Sequence, residues 1–229
     1  MKGYEKSRSI RDLCRNSGVS RETIRKILQE RGIKILSNDE AIQIKNLKYT
    51  KIPFDGNIQN KAYLYGFVLG DVHVFKKSKF TLRAITHTTH KNFVDLFKSE
   101  FGRYGRLNCR YIQKKREWCL SIDLDYKSFS FLEDRTKLGL PDWISNNNFL
   151  SFLSGFIDSD GSIIVRKSGK YFQYVIRLFG QDKELLKQIK ETLEKMGFKP
   201  TFYRNFEAGR TRIWGNKVMK YNKDYYAVD

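Results

Sequence analysis

Apolar residues recur at two different spacings along this chain, and each change of spacing marks an element. Near the N-terminus, Ile10 and Leu13, then Ile24, Ile27 and Leu28, fall at the three- and four-residue intervals of an amphipathic helix. Gly18 interrupts the run, and Ser20, with Glu22 in the turn that follows, is placed to cap what comes next. The spacing predicts two short helices, over residues 9–16 and from 21 to about 31, around a turn. Residues 36–57 lose the period and carry Pro53, Asp55-Gly56 and Asn57, all turn or breaker types, so they read as a linker. Further on, Phe80, Leu82 and Ala84 alternate with Thr81 and Arg83, and Phe172, Tyr174, Ile176 and Leu178 alternate with Gln173, Val175 and Arg177. Period-two alternation predicts strands with one apolar face for the core and a second face carrying polar and basic groups.

The larger part of the chain repeats itself. Leu64-Tyr65-Gly66-Phe67-Val68-Leu69-Gly70-Asp71 matches Leu153-Ser154-Gly155-Phe156-Ile157-Asp158-Ser159-Asp160, 89 residues on. Phe93, Phe97, Phe101 and Gly105 match Leu185, Ile189, Leu193 and Gly197, 92 residues on. Each copy reads as helix, two strands, helix, two strands. The strands fall near 72–77, 80–88, 106–113 and 117–124, then near 162–168, 171–180, 200–206 and within 211–228. The first copy continues into helical sequence ending near Arg135, whereas the second reaches Asp229 on its last strand, so a terminal helix is expected to be missing from it. The organisation is thus residues 1–35, a linker over 36–57, a first repeat over 58–145 and a second over 146–229.

Composition adds a partner. Lys and Arg total 44 against 25 Asp and Glu, a formal net charge of +19. A field of that sign attracts polyanions, and phosphate contacts by Lys and Arg are the usual source of nucleic-acid affinity. Cys14, Cys109 and Cys119 are scattered and fit reduced residues of an intracellular protein, not a disulfide or zinc framework. His73, His87 and His90 lack the spacing of a helical zinc site. No apolar run is long enough to span a membrane, and no signal-peptide pattern opens the chain.

The repeated segment carries candidate chemistry. Gly66 and Gly70 are four apart, as are Gly155 and Ser159, so each pair shares a helix face. Small residues on such a face let two helix backbones approach closely. Asp71 and Asp160 directly follow the second small residue, which puts both at the C-terminal ends of the paired helices. Carboxylates there face the negative end of the helix dipole and repel each other. A bound divalent cation would relieve both penalties, with the free carbonyls of Gly70 and Ser159 as further oxygen ligands.

These two segments resemble the paired LAGLIDADG motifs of homing endonucleases in their single-chain, two-repeat form, over about residues 58–229. The resemblance implies an α+β fold of two pseudo-symmetric αββαββα halves. Their motif helices would form the interface, and their sheets a saddle gripping a long double-stranded DNA site. It implies Asp71 and Asp160 as ligands of catalytic Mg2+ or Mn2+, assisted by the Gly70 and Ser159 carbonyls, with the metals activating water on each strand. Gln181 matches a position where the family often carries a polar residue orienting water or phosphate, and Lys137 is a candidate basic residue near the metals. Arg83, Arg110, Arg166 and Arg177 lie on strands that should face DNA, more as phosphate contacts than as base readers. Asp158, whose counterpart is Leu69, reads as structural. Leu13 to Ile24 resembles a helix-turn-helix, which would bring Arg21, Glu22 and Arg25 of its second helix to DNA. The chain then reads as a metal-dependent, site-specific DNA endonuclease acting as a monomer and promoting intron or intein mobility. Two readings compete on the same scaffold: a DNA-binding regulator without catalysis, and a maturase that binds intron RNA.

Overall fold

The computed structural model describes residues 9–37, 40, 49–136, 139–214 and 217–229. Lys137 lies outside the described residues. The chain divides between Thr50 and Lys51 into two compact units.

In the smaller unit, α1 (Ile10–Ser17) and α2 (Arg21–Glu30) each start at a serine cap. Ser9 Oγ accepts the Asp12 N–H at 3.2 Å, and Ser20 Oγ accepts that of Thr23 at 3.2 Å, each satisfying an orphan donor of the first turn. Gly18 ends α1 at φ 68°, a left-handed conformation in which a β-carbon is strained. Ile24 and Leu28 bury against Ile10, Leu13, Cys14, Ile33 and Ile35, which gives this helix pair a small core of its own.

The larger unit runs α3 (Ile58–Leu69), β1 (His73–Ser78), β2 (Thr81–Thr88), α4 (Lys91–Phe101), β3 (Leu107–Ile112) and β4 (Glu117–Asp125). A short helix, α5 (Tyr126–Phe129), and a 3-10 turn (Ser130–Thr136) complete this half. The order then repeats as α6 (Asn146–Asp160), β5 (Ser162–Ser168), β6 (Tyr171–Gly180), α7 (Lys183–Lys195) and β7 (Phe202–Phe206). A hairpin of β8 (Thr211–Trp214) and β9 (Lys217–Lys220) follows, and then β10 (Tyr225–Val228). The strands pair antiparallel, as two sheets in the orders β1-β2-β4-β3 and β5-β6-β10-β7, with β8-β9 apart. The α+β class and the doubled architecture are those the repeat predicts.

Each half closes its core in the same way. Phe93, Phe97 and Phe101 of α4 pack on Leu82, Ala84, Leu120, Ile122 and Leu124. Leu185, Leu186 and Ile189 of α7 pack with Leu178, Val228, Phe149, Phe152 and Phe156.

Two features depart from the sequence expectation. Residues 51–57, expected as the end of a linker, are part of the first half. Lys51 Nζ donates to the Phe80 carbonyl at 2.8 Å, the Ile52 N–H to the Tyr104 carbonyl at 2.9 Å, and Phe54 packs on Tyr104, Phe129 and Phe131. Their order comes from distant partners, which local pattern does not encode. The halves also differ in cover. β4 pairs β2 from Thr81 to Thr88, whereas β10 pairs β6 only from Leu178 to Gly180. Ile163, Val165, Tyr174 and Ile176, on the same face of the β5–β6 ribbon as buried Leu178, are therefore half or more exposed.

Candidate active site

The site is built where α3 and α6 cross. A β-carbon on Gly66 would overlap the Phe152 carbonyl and come within 2.9 Å of the Phe156 nitrogen. One on Gly155 would overlap the Tyr63 carbonyl and come within 2.8 Å of the Phe67 nitrogen. Each glycine thus meets the carbonyl three residues before, and the nitrogen one residue after, the glycine of the facing helix. That reciprocity is the signature of a local two-fold axis between α3 and α6. Only glycine permits the approach, and the flanking Leu64, Tyr65, Phe67, Val68, Phe152 and Phe156 are buried on either side of it.

The close approach carries down to the helix ends. Gly70, the residue after α3, would bring a β-carbon within 2.8 Å of Ser159 Cβ and 2.9 Å of Asp160 Cβ. Asp71 follows at once, while Asp160 is the last residue of α6. The structure therefore brings the two predicted acids together. Both residues remain open to solvent on one side, yet their carboxyls are partly dehydrated by the packing around them. Dehydration first, and then the Asp71 carboxylate, push Asp160 up to about 6. Dehydration also raises Asp71, with His90 opposing it. A pair of hard oxygen donors that resists losing both protons, reachable from solvent and set at two helix C-termini, fits a magnesium- or manganese-like cation.

Groups around the acids hold them. Thr86 of β2 is buried, and its Oγ1 donates to the Asp71 carbonyl at 2.7 Å, which pins the main chain at the first acid. Sequence reasoning missed it, although a signal was there: Thr86 continues the core-facing series of Leu82 and Ala84 and is polar. Across the helix pair, the Tyr63 hydroxyl donates to Asp158 Oδ2 at 2.8 Å. Burial and that bond raise the Tyr63 hydroxyl well above its ordinary value. Asp158 is thus tied to the facing helix and has no counterpart in the first motif. Ser159 Oγ donates to the Phe156 carbonyl at 3.2 Å and sits against Gly70, so the small residue serves the close approach.

The other expected site residues are spread over the two sheets and the small unit. Gln181 directly follows β6, and its amide donates to the Tyr225 hydroxyl, toward β10. Arg83 is held by an aspartate of the adjacent strand β4, and Arg177 by the aspartate that directly follows β10. Arg83 reaches Asp123 through Nε at 2.7 Å and a terminal nitrogen at 3.0 Å, with Lys77 on the same carboxylate at 2.8 Å. Burial of Asp123 is outweighed by those bonds, which keep its carboxyl below the usual range. Arg177 forms the same fork with Asp229, which also accepts from the Tyr203 hydroxyl at 3.1 Å. Arg110 and Arg166 are exposed on β3 and β5, as are Arg21 and Arg25 on α2.

Residues 149–227 match the family model of the LAGLIDADG-like domain, so α6 and the second half carry that fold. The chain is similar to an uncharacterized protein of Methanocaldococcus jannaschii, at 26% identity over 198 residues, covering 79% of this chain and 69% of that protein. Among solved structures, it is similar to the homing endonuclease I-WcaI bound to its DNA recognition sequence, at 16% identity, TM-score 0.47, covering 84% of this chain and 83% of that one. It is also similar to I-DmoI in complex with DNA and Mn, at 13% identity, TM-score 0.44, covering 76% and 91%. The N-terminal LAGLIDADG domain of DUF199/WhiA is similar at 15% identity, TM-score 0.43, covering 77% of each chain.

Proposed function

We propose that this protein is a metal-dependent endonuclease that cuts both strands of double-stranded DNA at a long, specific site, in the manner of a homing endonuclease. The observation that carries the reading is the meeting of Asp71 and Asp160, one from each half, at the ends of helices packed glycine to backbone. One acid per half, related by a local two-fold, suits a reaction performed once on each antiparallel strand.

In this reading Asp71 and Asp160 hold the cations as carboxylates, and the Gly70 and Ser159 carbonyls add oxygen ligands. A divalent ion bound there supplies water activation and neutralises charge at the leaving oxygen. Thr86 keeps the Asp71 main chain in place, and the Tyr63–Asp158 bond keeps the helix ends in register. The two sheets lie along the duplex as a saddle, the exposed Arg110 and Arg166 contact phosphates, Arg83 and Arg177 are held by their aspartates on the same sheets, and Gln181 orients water or phosphate. The helix pair of residues 9–37 adds DNA contacts through Arg21 and Arg25.

The test uses duplexes selected by binding from a randomised pool and then incubated with Mg2+ or Mn2+. Cleavage on both strands is expected from the wild-type chain. Asp71→Asn and Asp160→Asn should each lower it at least about 100-fold while leaving binding in place, because the charge needed only for chemistry is lost. Equal cutting by either variant would refute the assigned roles.

A further inference from the structure

The two halves differ most between their last two strands. In the first half, β3 and β4 are joined by residues 113–116 alone. In the second, the matching connection from β7 to β10 is 18 residues, 207–224, and folds into the β8–β9 ribbon. Arg212 pairs with Met219 and Ile213 with Val218 along it.

The connection is built in two zones of opposite character. Its root is held by ring contacts and backbone hydrogen bonds and contains both of its acids. Tyr221 stacks on Phe206 at 4.6 Å and 7°, Tyr225 meets Tyr221 edge-on at 5.3 Å, and the Arg210 guanidinium lies over Phe206 at 5.4 Å. The Gly209 N–H donates to the Tyr221 carbonyl at 2.7 Å, and the Tyr221 N–H to that of Arg210 at 2.9 Å. Glu207 is ion-paired with Arg204, and Asp224 accepts the Ala208 N–H at 2.7 Å. Apart from those two acids, the charged residues of the connection are all basic: Arg210, Arg212, Lys217, Lys220 and Lys223. Ile213 and Val218, an apolar cross-strand pair, are 76% and 70% exposed.

The root also has a defined place in the sheet. Ser162, two residues past Asp160, faces Arg177 on β6, and Gly180 on the same strand faces Tyr226, the second residue after the connection. Three strand residues span about 10 Å, so the ribbon rises from the end of the sheet that carries the acid. The Gln181 amide on the Tyr225 hydroxyl ties the two together.

We propose that the β8–β9 ribbon is a DNA-contacting arm that enters the major groove beside the acid-bearing end of the second sheet. The bound duplex is then contacted more extensively on the second half's side of the paired acids than on the first's. Acids confined to the root, bases along the ribbon and an exposed apolar pair suit a surface that meets phosphates and base-edge methyl groups, and a two-stranded ribbon is of a width the major groove admits. The inference rests on the DNA-binding part of the proposed function and not on catalysis.

The test compares the full chain with the triple variant Arg212→Gln/Lys220→Gln/Lys223→Gln on a selected duplex, with Ca2+ in place of Mg2+. The substitutions lie on exposed positions, and matched thermal melting verifies the fold. Each lost phosphate contact lowers the slope of log affinity against log salt by about 0.9, so the slope should fall by about 2–3. Hydroxyl-radical protection should weaken on the second half's side of the paired acids and hold on the first's. A full chain that binds duplex DNA without cutting it, yet shows these two changes, would support the arm while removing the nuclease reading. An unchanged slope and footprint, or no duplex binding by the full chain at low salt, would overturn the arm.

Discussion

Asp71 and Asp160 weaken the fold that presents them. With its carboxyl pushed up to about 6, Asp160 favours folding while protonated, and that contribution is lost as pH rises through about 6. At neutral pH, with metal chelated, Asp160→Asn should therefore melt higher than the wild type, by about 2–4 °C once solvent screening is allowed for. The gain should shrink as pH falls from 7 toward 4, where the folded wild type already carries the proton. Added Mg2+ should reverse the order, raising the wild type by linkage and leaving the variant unmoved. Its apparent affinity should fall below pH 6. Scanning fluorimetry over a pH and Mg2+ grid measures all of this, and a variant no more stable than wild type in chelator would contradict the crowding described here. At this scale the acids themselves were legible, because each ends a repeated motif. Thr86 and the Tyr63–Asp158 bond were not, because each joins residues that only the folded chain brings near.

At the scale of elements, the α3–α6 pair decides whether there is a site at all. Gly66→Ala or Gly155→Ala would place a methyl group on the facing carbonyl. Either should cost about 2–3 kcal/mol in urea unfolding, an overpacking penalty that the gain in helix propensity does not cancel. DNA cleavage should fall with it, because the acids separate with their helices. Gly102→Ala is the control: nothing lies within 4 Å of its β-carbon, and its φ of −57° suits alanine, so stability should hold or rise slightly. The four-residue glycine spacing pointed to this packing, since small residues at that interval make a flat face. The cross-strand clamps were hidden. Arg83 and Arg177 read as open cations in sequence, and only strand register sets each beside its aspartate.

For the whole molecule, the repeat disguises an inequality. The first half is covered by residues 51–57, by α5 and by the 3-10 turn after it, with Phe129, Phe131 and Leu132 in its core and Phe54 packed against them. In the second half, the outer β5–β6 ribbon leaves Ile163, Val165, Tyr174 and Ile176 in water, and a groove of about 640 Å³ opens beside them, lined by Leu150, Leu153, Ile157, Leu193 and Phe198. Strands with little buried apolar contact open locally at low free energy. Amide hydrogen exchange should therefore be fast over 163–165 and 174–176, and slow over 82–84 and 120–124. Comparable protection in the two sets would mean that the halves are equally closed.

The sequence by itself determined the elements, the doubling, the sign of the charge and the two acids, because periodicity, repetition and net charge are properties of a chain read in order. Tertiary structure alone decided that 51–57 belongs to the first half, that Thr86 holds the Asp71 main chain, that two arginines are clamped, and that an 18-residue connection stands up as a ribbon. Those outcomes depend on contacts between residues tens of positions apart, and such contacts form only once backbone geometry and burial have fixed which groups can meet.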